Sequence, residues 1–291
     1  MSEILKVRHL SKRFGENEVL RDFDMTVEEG GVYGLLGKNG EGKTTLVRMI
    51  MGVIPADSGE IFFKDKKIRF RDAAYKKEIG YIPEDTFFYS WMKIEDLVAF
   101  NSSFYPTWDG RKAAEYLDRF DLDKRKRIGK LSRGMKLKLG LAAALAAKPK
   151  LLILDDPTSG IDVPTRQDFL KNIIAELSEA GTTVFFSTHL VHELERIVEQ
   201  IGILHKGQLV LEENFEQVKN RARRIRIIFA DSVPEKLEIQ GILGLRRGDH
   251  SLEGTVYPWD ENKRTKLGSI AGAKLEVEPM SLEEIFMSFV S

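Results

Sequence analysis

From Gly37 to Thr45 the chain reads Gly-Lys-Asn-Gly-Glu-Gly-Lys-Thr-Thr, and no other run constrains the fold as tightly. It satisfies G-x-x-x-x-G-K-[ST], with Gly37, Gly42, Lys43 and Thr44 in the specified places. The pattern carries meaning only between a strand and a helix. Val32-Tyr33-Gly34-Leu35-Leu36 is short, apolar and strand-like, and Leu46 to Met51 has few breakers and reads as helix. The glycines let the backbone wind tightly, so that successive N–H groups point inward at an anion. A helix N-terminus adds unpaired N–H groups and partial positive charge. Lys43 is placed to reach β- and γ-phosphates, and the Thr44 hydroxyl suits Mg²⁺, which prefers hard oxygen ligands. A glycine turn that binds nothing is the plain alternative. Strand, loop, lysine, hydroxyl and helix all agree on a nucleoside triphosphate instead.

The chain has 291 residues, enough for one large domain plus a small one or for two medium domains. Lys+Arg and Asp+Glu both number 45, so there is no whole-surface attraction to nucleic acid. The absence of cysteine removes disulfides and thiolate metal sites and fits a reducing cytoplasm. The first residues lack the charged-then-apolar pattern of a signal peptide. The longest apolar run, Leu139 to Ala147, is too short to span a bilayer, so a membrane role has to come through a partner.

Strands are expected at Ile4 to Leu10, Val19 to Val27, Glu60 to Phe63 and Ile79 to Ile82, with Phe14 in a loop. From Phe87 to Trp108 the chain is rich in aromatic residues. Helices are expected over Ile94 to Phe104 and over Trp108 to Phe120, with Asp109 in the first turn of the second. Leu131-Ser132-Arg133-Gly134-Met135 opens a long Ala/Leu-rich helix that Pro149 stops. Leu151-Leu152-Ile153-Leu154 is a continuous apolar run, as expected of a buried parallel strand, and it ends in Asp155-Asp156-Pro157. A helix from Pro164 to Ala180, a strand from Thr182 to Ser187 ending in Thr188-His189, and a helix from Val191 to Val198 follow. After a hairpin around Lys206-Gly207 and a short helix to Asn220, the run Arg221 to Arg226 is basic and reads as a solvated face. A domain boundary is placed there. Beyond it lie short strand-like runs and a last helix from Leu282 to Val290.

The order of these sites, from phosphate loop through Leu131–Met135 and the Asp155-Asp156 strand to Ser159-Gly160-Ile161-Asp162 and His189, resembles the nucleotide-binding subunit of ATP-binding-cassette (ABC) transporters. The resemblance covers about residues 4–220, and the small C-terminal part and Arg133 are similar to bacterial ABC-2-type exporter ATPases. It implies an α/β P-loop NTPase core with an antiparallel β subdomain and a helical signature subdomain at about residues 85–148. Residues 1–220 would form the ABC ATPase domain, and residues 221–291 a small α+β appendix. It implies ATP and Mg²⁺ as cofactors. The nucleotide contacts would be Phe14, stacked on the base, the loop Gly37, Lys38, Asn39, Gly40, Glu41, Gly42, Lys43, Thr44 and Thr45, and Ser132 and Gly134. Thr44, Glu84 and Asp155 are the expected metal ligands, and Lys43, Asp156 and His189 the catalytic groups.

Ser132 is an N-cap residue type, and Gly134 permits close backbone approach, which together make a second anion site. In the family architecture two chains meet head-to-tail, so that the loop of one faces Ser132 and Gly134 of the other across two ATP. The expected partners are therefore a second cassette, identical or not, and an integral membrane transport subunit, with no nucleic acid. That places the chain in the cytoplasm, peripheral on the inner face of the membrane. Glu84 stands where the family usually has Gln, and Asp156 where it has the Glu that polarises the attacking water. A soluble ABC ATPase and a slow ATP-dependent dimerisation switch are the competing readings. The remaining histidines, His9, His192, His205 and His250, read as surface or packing residues.

Overall fold

A computed structural model describes residues 2–85, 88–234 and 241–291. The chain opens with two long antiparallel strands, β1 (Glu3–Phe14) and β2 (Asn17–Glu28). Phe14 closes β1 instead of lying in a loop, because the strands stay paired until Gly15 turns the chain at φ 60°. Then come β3 (Val32–Leu36), α1 (Lys43–Ile50), β4 (Ser58–Phe63), β5 (Lys66–Lys67) and β6 (Ile79–Ile82). The helical part holds α2 (Ile94–Ser102), α3 (Gly110–Arg119) and α4 (Arg133–Ala146). Asp109 sits one place outside α3. Its carboxylate accepts from the N–H groups of Arg111 and Lys112, as an N-cap does. Strand and helix alternate through β7 (Leu151–Asp155), α5 (Val163–Ala180), β8 (Thr183–Thr188) and α6 (Val191–Leu194). The last is shorter than expected. The hairpin β9 (Gln200–His205) and β10 (Gln208–Asn214) and helix α7 (Phe215–Arg221) complete this part.

The main sheet has the order β10-β9-β3-β8-β7-β6, parallel throughout except for β10. Its central strands β3, β7 and β8 are buried at every position because both faces are covered, and apolar except toward their ends. Val32 and Leu36, Leu152 and Leu154, and Val184 and Phe186 face the helical side. Tyr33 and Leu35, Leu151 and Ile153, and Phe185 face α1 and the antiparallel sheet β2-β1-β4-β5. This period of two splits one run of hydrophobic residues between two cores. It also aligns the carboxyl ends of β3, β7 and β8 as neighbours.

The C-terminal part forms a third sheet, β12-β13-β11-β14, from β11 (Arg223–Phe229), β12 (Ile242–Arg247), β13 (Ser251–Val256) and β14 (Ala273–Pro279). A charged helix, α8 (Glu261–Gly268), was not evident in the sequence because its mostly polar surface gives no apolar periodicity. The sheet has its own core around Ile225, Ile227, Leu252 and Val256. The last helix, α9 (Leu282–Val290), does not belong to that core. Leu282, Ile285, Phe286 and Val290 pack in the helical-side core of the main sheet, against α6 and β9. The small sheet lies beyond the expected boundary at residue 220, and so does α9, which packs in the helical-side core. Phe286→Ala is expected to lower stability by about 3 kcal/mol through lost burial and a residual cavity. Met287→Ala, at an exposed position, should stay within about 0.5 kcal/mol. Urea unfolding of the full chain measures both.

Candidate functional site

The loop between β3 and α1 carries the site. Gly40 and Gly42 have φ of 85° and 109°, and Gly42 immediately precedes α1. A side chain at Gly42 would be strained by that φ and would stand 3.0 Å from the Val19 carbonyl oxygen, so glycine is required there. Lys43 is buried, and its Nζ donates to the carbonyls of Gly37 at 2.7 Å and Lys38 at 3.2 Å. Burial pushes its pKa down, while the carboxylates of Asp156, Asp155, Glu84 and Glu41 push it back up. The result is a desolvated ammonium held by two backbone carbonyls of the loop.

Asp155 ends β7 and is buried. Its Oδ1 accepts from Ser187 Oγ at 2.7 Å and Thr44 Oγ1 at 3.2 Å, and its Oδ2 is buried with no hydrogen-bond partner. Burial, with the neighbouring charges of Asp156 and Glu84, raises its pKa against the two hydroxyl bonds. An orphaned carboxylate oxygen beside a threonine hydroxyl is the donor chemistry a hard divalent cation takes, so the residues fit Mg²⁺. Glu84 is exposed, close enough that its charge acts on Lys43 and Asp155.

Asp156 adopts φ 46°, a region Asp tolerates better than most residues. Its carboxylate takes His189 Nδ1 at 2.8 Å, and Thr188 Oγ1 lies 3.4 Å away. Asp156 and His189 are thus brought together, at the ends of the adjacent strands β7 and β8. Phe14 is half exposed at the tip of the first hairpin, with Lys12 Nζ 5.2 Å from its ring centroid. Ser132 caps α4, its Oγ accepting from Met135 N at 3.2 Å. The open side of Gly134 is used within the chain, since a Cβ there would lie 2.6 Å from Thr165 Cγ2. Arg133 reaches back to the Glu84 carbonyl and Asp85 carboxylate, each at 3.4 Å, and covers Gly160.

Two groups were missed in the sequence. Glu193 is buried behind the site. Its Oε1 accepts from Thr158 Oγ1 at 2.6 Å and lies 3.1 Å from Arg166 Nε, while its Oε2 is 3.4 Å from Thr188 Oγ1. It therefore joins the segment after Asp156 to the strand end that carries His189. His205, read as a surface or packing residue, holds Glu41 of the phosphate loop at 3.2 Å, and Lys206 N donates to the same carboxylate. Glu193 falls on α6, which begins at Val191, so its spacing from His189 is not a helical-face one and gives no signal in the sequence. Nothing local marks His205. Among the described residues His9, Asp22 and Asp24 lie close enough to share a cation, where the sequence indicated no such cluster; all three are on the first hairpin and the first two are exposed.

Burial raises the pKa of Glu193 above 4.5, with Thr158 and Arg166 opposing. The folded state then holds this proton more tightly than the unfolded one. The group's favourable contribution is present below about 4.5 and is lost as pH rises through the folded value. Glu193→Gln should remove that pH dependence and stay within about 1 kcal/mol of the parent. Glu193→Ala should cost about 3 kcal/mol, because Arg166 loses its buried partner. Urea midpoints across pH 4–8 decide this.

A family model described as ABC transporter matches residues 20–159. The chain is 33% identical over 285 residues to the ABC transporter ATP-binding protein YtrB of Bacillus subtilis (strain 168), covering 98% of this chain and 97% of that one. It is 36% identical over 232 residues to the bacitracin transport ATP-binding protein BcrA of Bacillus licheniformis, covering 77% and 74%. To the lantibiotic transport ATP-binding protein SrtF of Streptococcus pyogenes it is 32% identical over 223 residues, covering 75% and 93%. A solved ATP-binding subunit of an ABC transporter superposes with a TM-score of 0.68 at 25% identity, over 75% of this chain and 92% of that one. The chain belongs to the ABC transporter family and is one of its ATP-binding, ATP-hydrolysing subunits.

Proposed function

We propose that this subunit drives an exporter, closing head-to-tail with a second cassette on two ATP and moving a separate membrane subunit. The observation that carries the reading is the convergence of Lys43, Thr44, Asp155, Asp156 and His189 around one glycine loop. Phosphate oxygens would replace the Gly37 and Lys38 carbonyls as partners of Lys43. Thr44 and Asp155 would hold Mg²⁺, with Glu84 at its edge; the ion would neutralise charge on the β- and γ-oxygens. Phe14 offers an open ring for the base, and stacking tolerates any base. Ser132 and Gly134 would face the partner's phosphates, and Arg133 ties that segment to the loop at 84–85. Names of relatives that refer to bacitracin and lantibiotic transport support export. No helix among the described residues is long and apolar enough to cross a membrane, so the chain would sit on the inner face through its partner.

Asp156 would orient the attacking water, and His189, fixed by Asp156, would meet the γ-phosphate. A base must stand about 2.6–3.2 Å from the water it activates. The Asp156 carboxylate is drawn sideways onto His189 and Thr188, and it is one methylene shorter than Glu. A misplacement of ~1 Å can cost about 10²-fold. Turnover is therefore expected to be slow. Asp156→Glu should raise kcat about tenfold. Asp156→Asn should lower it at least 10²-fold while ATP-dependent dimerisation persists. An Asn variant as fast as the parent would remove Asp156 from the base role and favour the dimerisation switch without turnover.

The membrane partner would dock beside α2. Tyr89, Trp91, Phe100 and Phe104 are more than half exposed, and next to them Tyr81, Pro83, Phe88, Tyr105 and Ala143 line a groove of about 190 Å³. Phe88 and Met92 turn toward the core, so the accessible aromatics of the run are Tyr89 and Trp91; Phe87 lies outside the described residues. Such a patch suits an anchor-in-pocket contact with a short partner helix. Tyr89→Ala with Trp91→Ala should reduce co-purification with the membrane subunit about tenfold without changing the ATPase activity of the isolated chain. Unchanged co-purification would sink the assignment.

A further inference from the structure

The phosphate loop carries a second lysine that the site does not explain. Lys38 Nζ donates to the Val290 carbonyl at 2.8 Å, across 252 residues of sequence. Val290 is the last residue of α9, and its side chain is buried. A helix C-terminus presents unpaired carbonyls and partial negative charge, which an ammonium satisfies. The Lys38 backbone carbonyl is in turn one of the two acceptors of Lys43 Nζ. Fixing Lys38 from outside therefore fixes part of the cradle that aims Lys43.

The other side of α9 belongs to the small sheet. The Ser288 hydroxyl meets Thr255 Oγ1 of β13 at 2.7 Å, Arg224 of β11 pairs with Glu284, and the Tyr257 and Phe289 rings meet edge-on at 5.6 Å. Between these contacts a cavity of about 470 Å³ separates the helix, at Glu283 and Met287, from Leu243, Arg246 and Glu253 of the sheet. The helix thus buries its apolar face in the ATPase core and meets the sheet through these contacts around the cavity. It touches both the small sheet and the phosphate loop.

We propose that α9 completes the nucleotide site: its last turn positions the phosphate loop through Lys38, and the C-terminal sheet sets MgATP affinity by holding that helix. Lys38 is here a positioning residue that acts through Lys43. This rests on the loop being the ATP site, and Lys43→Ala tests that part alone.

The experiment measures MgATP affinity of the full-length chain by equilibrium binding, with amide hydrogen exchange over residues 39–45 as a second readout. Lys38→Met should weaken binding about fivefold, the scale of one charge-assisted hydrogen bond that is partly exposed. Lys38→Arg should restore it to within about twofold, because the guanidinium still donates to the carbonyl. Ser288→Ala with Phe289→Ala, which removes the Thr255 and Tyr257 contacts of α9 and leaves the Arg224–Glu284 pair, should weaken binding about threefold and speed loop exchange when Lys38 is present. In the Lys38→Met background the same pair should change nothing further, since the link is already cut. Equal losses in both backgrounds, or an Arg variant as weak as Met, would overturn the proposal. Binding unaffected by Lys43→Ala would instead overturn the nucleotide-site assignment.

Discussion

A buried ammonium beside two buried carboxylates governs this structure. Lys43, Asp155 and Asp156 are each less than a tenth exposed. Unit charges at 4 Å interact by roughly 4 kcal/mol at an effective dielectric of ~20, so no member can be moved without penalty to the others. Each is therefore fixed by ordinary hydrogen bonds: Lys43 by two carbonyls, Asp155 by two hydroxyls, Asp156 by His189. What stays unmet is one oxygen of Asp155 and the positive field of the loop. Those two deficits are complementary to a cation and a polyanion, and MgATP would supply both.

Holding that arrangement requires three strand ends side by side, and the parallel sheet provides them. The loop leaves β3, Asp155 and Asp156 leave β7, and His189 leaves β8, which lies between the other two. Parallel strands buried on both faces place their carboxyl ends on one edge, and the connecting helices must cross outside. Cooperation between residues more than a hundred positions apart in sequence thus follows from strand order. Behind this edge, Glu193 ties the segment at Thr158 to Thr188, linking the two sides of the Asp156–His189 pair.

Local signals made much of this readable. The glycine loop, the unbroken apolar run before Asp155, the cap at Ser132 and the stop at Pro149 each act within a few residues of themselves. Helix α9 was legible to the residue because Ser281 and Glu284 form a capping box ahead of an apolar face. Which core that face enters was not legible, since nothing in residues 282–290 distinguishes the small sheet from the ATPase part. Helix α8 escaped notice for want of an apolar stripe. The pairs Lys38–Val290, Glu41–His205 and Arg133–Gly160 depend on packing between distant segments, which no local pattern encodes.

Glu41 shows how such a pair resolves a conflict that the motif alone creates. A carboxylate inside a phosphate loop opposes the triphosphate by about 3 kcal/mol for unit charges ~6 Å apart at a dielectric of ~20. Left free, it would undo much of what Lys43 contributes. The turn between β9 and β10 captures it, through the Lys206 N–H and the His205 ring, and side-chain exposure falls to 15% for both Glu41 and His205. The same turn is bonded to the first hairpin, where Arg21 N donates to the Gly207 carbonyl. A residue that should weaken an anion site thereby becomes a strut between the loop and two strands on its flank. Lys38 does the same toward α9 with the opposite charge. In the proposed site the loop's own backbone would bind phosphate, and its Lys38 and Glu41 side chains, each turned onto a neighbouring element, would set how rigidly that backbone is held.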